Sequence, residues 1–194
     1  MKKKLVFLSL PAALMPYLIL LTISVLFFPT EVPFFEWLLE KVFCYNALYL
    51  LAALLASCIL AIVATGICFF VSIRKNWDAL EMAKTAMIIK CVQIPAYLLI
   101  YALGFICAIA VFGTLLSIGL FFVDCFCLCM TGILVIAPAV NTIKSKTFTF
   151  KEVFWIILLQ FVFVADVIAS IVFYRKLKRM DARERSAEDE IAPN

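Results

Sequence analysis

The sequence has 194 residues, of which 66% are hydrophobic and 15% are charged, and its formal net charge is +4. A soluble protein contains about 45–50% apolar residues, so this composition excludes the soluble class. Most of the charged residues lie at the ends of apolar runs and form no stripe of interleaved basic and aromatic residues, which excludes a nucleic-acid partner.

The apolar residues come in uninterrupted runs, each long enough to cross about 30 Å of hydrocarbon as a helix. They lack the period-two alternation that is typical of a membrane β-barrel. The sequence therefore predicts an all-α, polytopic membrane helix bundle with about five transmembrane helices and a short interfacial helix. We place the bundle in one domain, 1–174, surrounded by the lipid bilayer, and expect a charged, largely disordered tail at 175–194.

The first predicted span, 5–28, follows three consecutive lysines. A basic start before an apolar run is also typical of a secretory signal, but this run is longer than a signal core and no small-residue cleavage pattern follows it. We therefore expect an uncleaved span with a cytoplasmic N-terminus, because Lys and Arg favour the cytoplasmic side. The segment 34–43 has the acidic and aromatic pattern of a short amphipathic helix in the membrane interface, with a partner-binding lip as the alternative.

The second and third predicted spans, 46–73 and 88–112, carry small residues at a spacing of four. Such strips let a neighbouring helix pack closely, so we expect them to pack inside the protein, with a dimer interface as the alternative. Lys90 lies near the inner end of the third span, and we expect its long side chain to snorkel to the interface. The strip residues are Ala52, Ala56, Ser57, Ala61, Thr65, Gly104 and Ala108.

The fourth predicted span, 115–140, follows a tight turn near Gly113, and the fifth covers 152–174. This count leaves a topological conflict. Five spans with a cytoplasmic N-terminus place the C-terminal tail outside, although the tail begins with basic residues, which favour the inside. The alternative is an even number of spans, with a re-entrant segment within 91–140.

Two carboxylates lie inside the last two predicted spans, Asp124 in the fourth and Asp166 in the fifth. An ionisable group at bilayer depth costs at least about 2.5–3.5 kcal/mol, so it normally faces protein or water and has a partner. Counted from the outer ends of their helices, the two carboxylates differ in depth by only about 3 Å, so in an antiparallel hairpin they would face each other and share one proton. Thr131, Gln160 and Ser170 would extend the pair into an intramembrane polar seam.

This polar site has three interpretations. The first is structural, with protonated or hydrogen-bonded acids that hold the helices together. The second is a site for a proton or cation, and the third is a catalytic site. Paired aspartates are also a feature of intramembrane aspartyl proteases, but Asp124 follows Phe-Val and Asp166 follows Val-Ala, so the Tyr-Asp and Gly-x-Gly-Asp motifs of that family are missing. We therefore name no catalytic residue, and an enzyme is the least favoured interpretation.

Metal and cofactor sites are not indicated by the sequence. It has eight cysteines and no histidine, and a buried reduced cysteine behaves as a small apolar side chain. Of Cys125, Cys127 and Cys129, only the first and last share a helix face, whereas structural zinc needs four ligands. No phosphate-binding glycine loop or dinucleotide-binding fingerprint is present. We therefore predict no metal and no cofactor.

Two segments carry a family resemblance, 87–97 with the sequence MIIKCVQIPAY and 160–170 with the sequence QFVFVADVIAS. In both, the chain resembles an uncharacterised family of small multi-pass bacterial membrane proteins. That family has no assigned activity. The resemblance therefore implies a bacterial membrane protein and transfers no site residue.

The leading hypothesis for function is a structural or accessory protein of the cell membrane, which packs as a homo-oligomer or with another membrane protein through its small-residue strips. The alternative is a small oligomeric transporter or channel subunit in which Asp124 and Asp166 handle a proton or cation. Replacing either aspartate by asparagine separates the two hypotheses, because only the second needs the charge.

Overall fold

The computed structural model is all-helical over the residues that it describes, 2–27, 32–109, 113–145, 147–162 and 164–191. No strand occurs within these ranges, and the predicted all-α membrane helix bundle is confirmed. The helices are α1 (Lys2–Phe27), α2 (Pro33–Lys41), α3 (Ala47–Arg74), α4 (Ala79–Ile109), α5 (Thr114–Lys144), α6 (Phe150–Leu159) and α7 (Ala165–Ile191).

Four of the described helices, α1, α3, α4 and α5, are long and apolar enough to cross a membrane. They correspond to the first four predicted spans. Their outward surfaces carry many exposed leucine, isoleucine, valine and phenylalanine side chains, which form the kind of large apolar surface that lipid covers. The chain is therefore an integral membrane protein. The candidate spans are Phe7–Val25, Leu48–Arg74, Ala79–Ile109 and Ser117–Lys144.

The short helix predicted after the first span is present as α2. None of its residues is buried, and the rings of Phe34 and Trp37 stack with their centroids 6.2 Å apart. An exposed helix that carries aromatic side chains suits a membrane interface. Its place at that interface stays a prediction.

The bundle has two buried apolar clusters. The larger one includes Cys68, Val135 and Phe173, and joins α3, α5 and α7. The smaller one includes Met15 and Tyr97, and joins α1 to α4. The two clusters bring the four candidate spans and α7 into one packed unit.

Of the two small-residue strips of α3, one is mainly buried and the other is exposed. Ala61 and Thr65 are buried, which confirms that this strip packs inside the protein. Ala52 and Ala56 are exposed on the flank of the bundle. The second strip is therefore free to face lipid or another protein.

The predicted fifth span, 152–174, is wrong because the chain turns back in the middle of it. α6 ends at Leu159 and α7 begins at Ala165. Between them, the backbone amides of residues 160–162 donate to carbonyls three positions earlier, a tighter geometry that is typical of helix ends. Val164 follows with a φ of 67°, in the left-handed region, where the chain changes direction.

α6 and α7 form an antiparallel pair, called the re-entrant hairpin below. Near its tip the Ser170 hydroxyl lies 3.2 Å from the Gln160 side-chain oxygen, and at its base Glu152 forms an ion pair with Lys176. With 10 residues, α6 rises only about 15 Å, which is half of the hydrocarbon thickness of about 30 Å. The hairpin thus enters and leaves the bundle at the end where α5 finishes.

Four crossings and a re-entrant hairpin gather the basic segments at one end of the bundle, called the basic end below. The loop after α3 meets the end of α5 there, because Asn141 donates to the Trp77 carbonyl at 3.1 Å and Lys144 donates to the Ile73 carbonyl at 3.3 Å. The predicted conflict between span count and basic tail is thereby removed. Apart from Lys41 and Lys90, all lysines and arginines of the sequence fall within 2–4, 74–84, 144–151 and 175–185.

One alternative and one prediction about topology are corrected. The alternative placed a re-entrant segment within 91–140, but α4 and α5 are continuous helices there over the described residues, and the re-entrant segment lies in the last apolar run. The tail, predicted to be largely disordered, continues α7 as a helix to Ile191. An ion pair of 2.9 Å between Asp181 and Arg185, one turn apart, supports this helix. Residues 192–194 lie outside the described ranges.

Candidate functional site

A buried ion pair joins α4 to the re-entrant hairpin. The Nζ of Lys90 lies 2.7 Å from the Oδ2 of Asp166, and their side chains are only 1% and 5% exposed. Asp166 is in the first turn of α7, where the helix dipole favours an anion. The prediction that Lys90 snorkels to the interface is wrong, because the hairpin offers the ammonium group a carboxylate inside the bundle.

The second predicted acid, Asp124, is also buried but has a different environment. Asp124 is 4% exposed, and its Oδ1 has no hydrogen-bond partner among the described residues. The predicted pairing of the two aspartates is therefore wrong, because Asp166 takes Lys90 as its partner. Both acids nevertheless line the same cavity.

The three other predicted site residues are buried and mostly bind within the helices that carry them. The Thr131 hydroxyl donates to two carbonyls of the preceding turn of α5, at 3.1 and 3.2 Å. The Ser170 hydroxyl lies 2.7 Å from the Asp166 carbonyl and 3.2 Å from the Oε1 of Gln160. Gln160 and Ser170 therefore lock the hairpin tip beside Asp166, while Thr131 is not joined to them.

The hairpin tip packs closely against α5 at Gly132. A methyl group at this position would lie 3.5 Å from the Cβ of Gln160, which is an ordinary van der Waals contact. A larger side chain would meet the tip directly. The small residue on α5 thus allows the tip to reach its position next to α4.

Gln93 is a buried polar residue that the sequence pattern does not single out. Its Nε2 donates to the Ala12 carbonyl of α1 at 2.8 Å, and its Oε1 accepts from the Tyr97 hydroxyl at 3.2 Å. The Ala12 carbonyl lacks its usual helix donor, because the residue four positions later is Pro16, which has no N–H. Gln93 therefore satisfies a backbone group that would be bare in hydrocarbon. The feature of the sequence that could have identified Gln93 is its spacing from Lys90 and Tyr97, which places all three on one face of α4.

A cavity of about 750 Å³ lies over the hairpin tip, on the side away from the basic end. The hairpin fills only half of the bundle's length, so the space between its tip and the far halves of α4 and α5 stays open. Its walls are mainly apolar and aromatic, and Tyr101, Phe105 and Phe121 are exposed at its rim. The cavity therefore opens on the lipid-facing flank, and its volume is in the range of about 300–1,000 Å³ that small-molecule sites occupy.

The base of the hairpin lies outside the four candidate spans and is held by charge and capping. Glu152 accepts from the backbone amide of Thr149 at 3.1 Å and from its hydroxyl at 3.0 Å, in a capping box. The hydrogen bond from Lys176, followed by those from Thr149, lowers the pKa of Glu152 from 4.5 to about 2. The Lys176 ammonium also lies 4.7 Å from the centre of the Phe148 ring.

All eight cysteines are free thiols. Cys68 and Cys127 are buried within the two apolar clusters and pack there as small side chains. Over the described part of the chain, no three His, Cys, Asp or Glu side chains come together in a way that would hold a metal ion. That the protein uses no metal or cofactor stays a prediction.

No known protein family, curated protein or solved structure matches this chain. The resemblance of 87–97 and 160–170 to a bacterial membrane family therefore stays a prediction.

Proposed function

We propose that the protein is a small membrane transport subunit in which Asp124 takes up a proton or a cation inside the bilayer. The observation that carries this proposal is the buried carboxylate of Asp124: the residue lines the cavity, and its Oδ1 has no hydrogen-bond partner among the described residues. An unsatisfied buried acceptor costs about 1–3 kcal/mol, and more when it is charged. Because buried polar groups are nearly always satisfied, an exception at a cavity points to a function.

The charges around the cavity also support a positively charged occupant. Lys90 and Asp166 compensate each other, and no other described residue forms an ion pair with Asp124. In a low-dielectric interior, an uncompensated charge is strongly unfavourable. One proton or one monovalent cation restores the balance.

A structural or accessory role is the second candidate, and it accounts for one acid but not for the other. Asp166 ties the hairpin to α4, as expected of an acid that holds helices together. The Oδ1 of Asp124 makes no such tie to any described residue. The exposed strip at Ala52 and Ala56 offers a smooth surface for a second copy or another membrane protein. This surface supports oligomerisation under either function.

We infer that the protein lies in the cell membrane with its basic end in the cytoplasm, because Lys and Arg collect on that side of a membrane. Cys44 is exposed between α2 and α3, at the opposite end. A membrane-impermeant maleimide added to intact cells should therefore label Cys44 in the protein but not in a Cys44→Ser variant. Labelling only after the cells are opened would reverse the orientation.

The proposed transport function is tested with purified protein in liposomes, by following protons with an internal pH dye and Na⁺ or K⁺ with isotopes. Wild-type protein should move protons or cations, and Asp124→Asn should reduce the rate by about tenfold or more. Asp181→Asn is the matched control, because Asp181 lies in the α7 extension beyond the cavity. Equal rates in wild type and Asp124→Asn, or a wild type no faster than empty liposomes, would overturn the proposal.

A further inference from the structure

We propose that the occupant of the cavity is a hydrophobic organic cation that enters from the bilayer and places its charge at Asp124. This inference rests on the proposed function and names the substrate class of the same site. Its basis is a combination of two features. One is a buried carboxylate that lines the cavity and has one oxygen unpaired among the described residues, and the other is an apolar cavity that opens on the flank of the bundle.

The carboxylate lies deep in the hydrocarbon and away from the head groups. Asp124 follows Thr114, the first residue of α5, by 10 positions, which corresponds to about 15 Å along the helix. That distance is about half of the hydrocarbon thickness. A lipid head group would have to leave the interface to reach Asp124, whereas a cation with an apolar body can dissolve at that depth.

The cavity is accessible from lipid and closed toward the basic end. Tyr101, Phe105 and Phe121 at its rim are each more than half exposed on the flank of the bundle. Toward the basic end, the cavity is lined by the hairpin tip, including Asp166. A ligand that is dissolved in the bilayer can therefore enter sideways, over the hairpin tip.

The wall chemistry favours an organic cation over a hydrated metal ion. A hard metal ion takes about six or more oxygen ligands, whereas the described cavity lining has only two carboxylates, Asp124 and Asp166, and Asp166 is already paired with Lys90. An organic cation needs only one counter-charge, and its body is accommodated by apolar and aromatic walls, which attract cations through their ring faces. The negative charge of Asp124 disfavours an organic anion of the same shape.

The test compares two probes of the same shape and opposite charge, tetraphenylphosphonium and tetraphenylborate. Binding is measured by equilibrium dialysis with the full chain in lipid nanodiscs, and the signal of protein-free nanodiscs is subtracted because both ions partition into lipid. We expect saturable binding of tetraphenylphosphonium at one site per chain, and an affinity for tetraphenylborate that is weaker by about tenfold or more. Equal binding of the two ions, or no saturable component for the cation, would overturn the inference.

Two variants locate the bound cation. Asp124→Asn removes the charge and should weaken tetraphenylphosphonium binding by about tenfold or more. Ala108→Phe fills the cavity wall at an exposed position away from the ion pair and should weaken binding as well. Its matched control is Ala53→Phe, the same change at an exposed position of α3 that lies outside the cavity lining and outside the Ala52/Ala56 strip, and it should bind as wild type does. If Asp124→Asn does not fold, as judged by gel filtration, the Ala108→Phe and Ala53→Phe pair decides alone: equal binding by these two would place the cation outside the cavity.

The outcomes also separate this inference from the proposed function. Asp124-dependent proton or alkali-ion flux without tetraphenylphosphonium binding would overturn the substrate class and leave the transport function intact. Asp124-dependent tetraphenylphosphonium binding without flux of any ion would support the site and overturn transport. A saturating cation signal that Asp124→Asn leaves unchanged, in a variant that folds, would overturn the inference whatever the flux.

Discussion

Removing the lysine of the buried ion pair should destabilise the fold strongly. We expect Lys90→Met to lower the free energy of unfolding by about 3–5 kcal/mol, because it leaves Asp166 buried without its counter-charge. The two charged atoms are 2.7 Å apart, and the side chains are 1% and 5% exposed, so solvent screens the pair very little. Replacing both partners, in Lys90→Met/Asp166→Leu, removes both buried charges and should recover most of the loss.

The assay is unfolding of the purified protein in mixed micelles with increasing SDS, followed by circular dichroism. Lys84→Met is the matched control, because Lys84 is an exposed lysine on the same helix, and it should change the stability by less than about 0.5 kcal/mol. A double-mutant cycle between Lys90 and Asp166 should give a coupling energy above about 1 kcal/mol. If Lys90→Met is as stable as Lys84→Met, the ion pair does not hold the hairpin in place.

Three further predictions test neighbouring features of the bundle. Gln93→Leu should lower the free energy of unfolding by about 1–3 kcal/mol, because a carbonyl of α1 loses its hydrogen-bond donor. In the Gln93→Leu variant, the additional change Pro16→Ala should recover part of the lost stability, because it restores the helix N–H. A double variant that is no more stable than Gln93→Leu in SDS unfolding would contradict this rescue. Gly132→Ala, whose methyl group would meet the hairpin tip at 3.5 Å, should unfold within about 1 kcal/mol of wild type, whereas Gly132→Leu should displace the tip and unfold at lower SDS. The pKa of Glu152 is lowered from 4.5 to about 2, so its stabilising contribution should be complete above 4.5 and disappear as the pH falls through about 2. Glu152→Gln should lack that pH dependence of stability, and an unchanged profile would contradict the assignment.

The four crossings are predictable because a long apolar run is itself the physical requirement for a transmembrane helix. The re-entrant hairpin is not, because its turn at 160–164 contains neither Gly nor Pro and reads as a continuation of the run. Two signals nevertheless point to it. Gln160 and Asp166 place polar groups on either side of the turn, and the basic tail contradicts a fifth crossing.

The acids of the site are visible in the sequence, but their partners are not. A carboxylate inside an apolar run stands out, whereas Lys90 lies 76 positions from Asp166 and close enough to a loop for snorkelling to be the simpler expectation. Gln93 is hidden for another reason. Its partner is a backbone carbonyl, and the residue that frees this carbonyl is Pro16 on a different helix. Contacts of this kind depend on helix packing, which side-chain pattern alone does not specify.

Asp124 and Asp166 look alike in the sequence, and their neighbours give them different environments. Asp166 has Lys90 and the N-terminus of α7, so its charge is compensated within the bundle. Asp124 lies within α5, and its Oδ1 has no partner among the described residues. Under the proposed function, a proton and an organic cation compete for one place beside Asp124, because each supplies a positive charge. The Lys90–Asp166 pair stays balanced during that exchange, so the proposal assigns the structural role and the exchanging role to different residues.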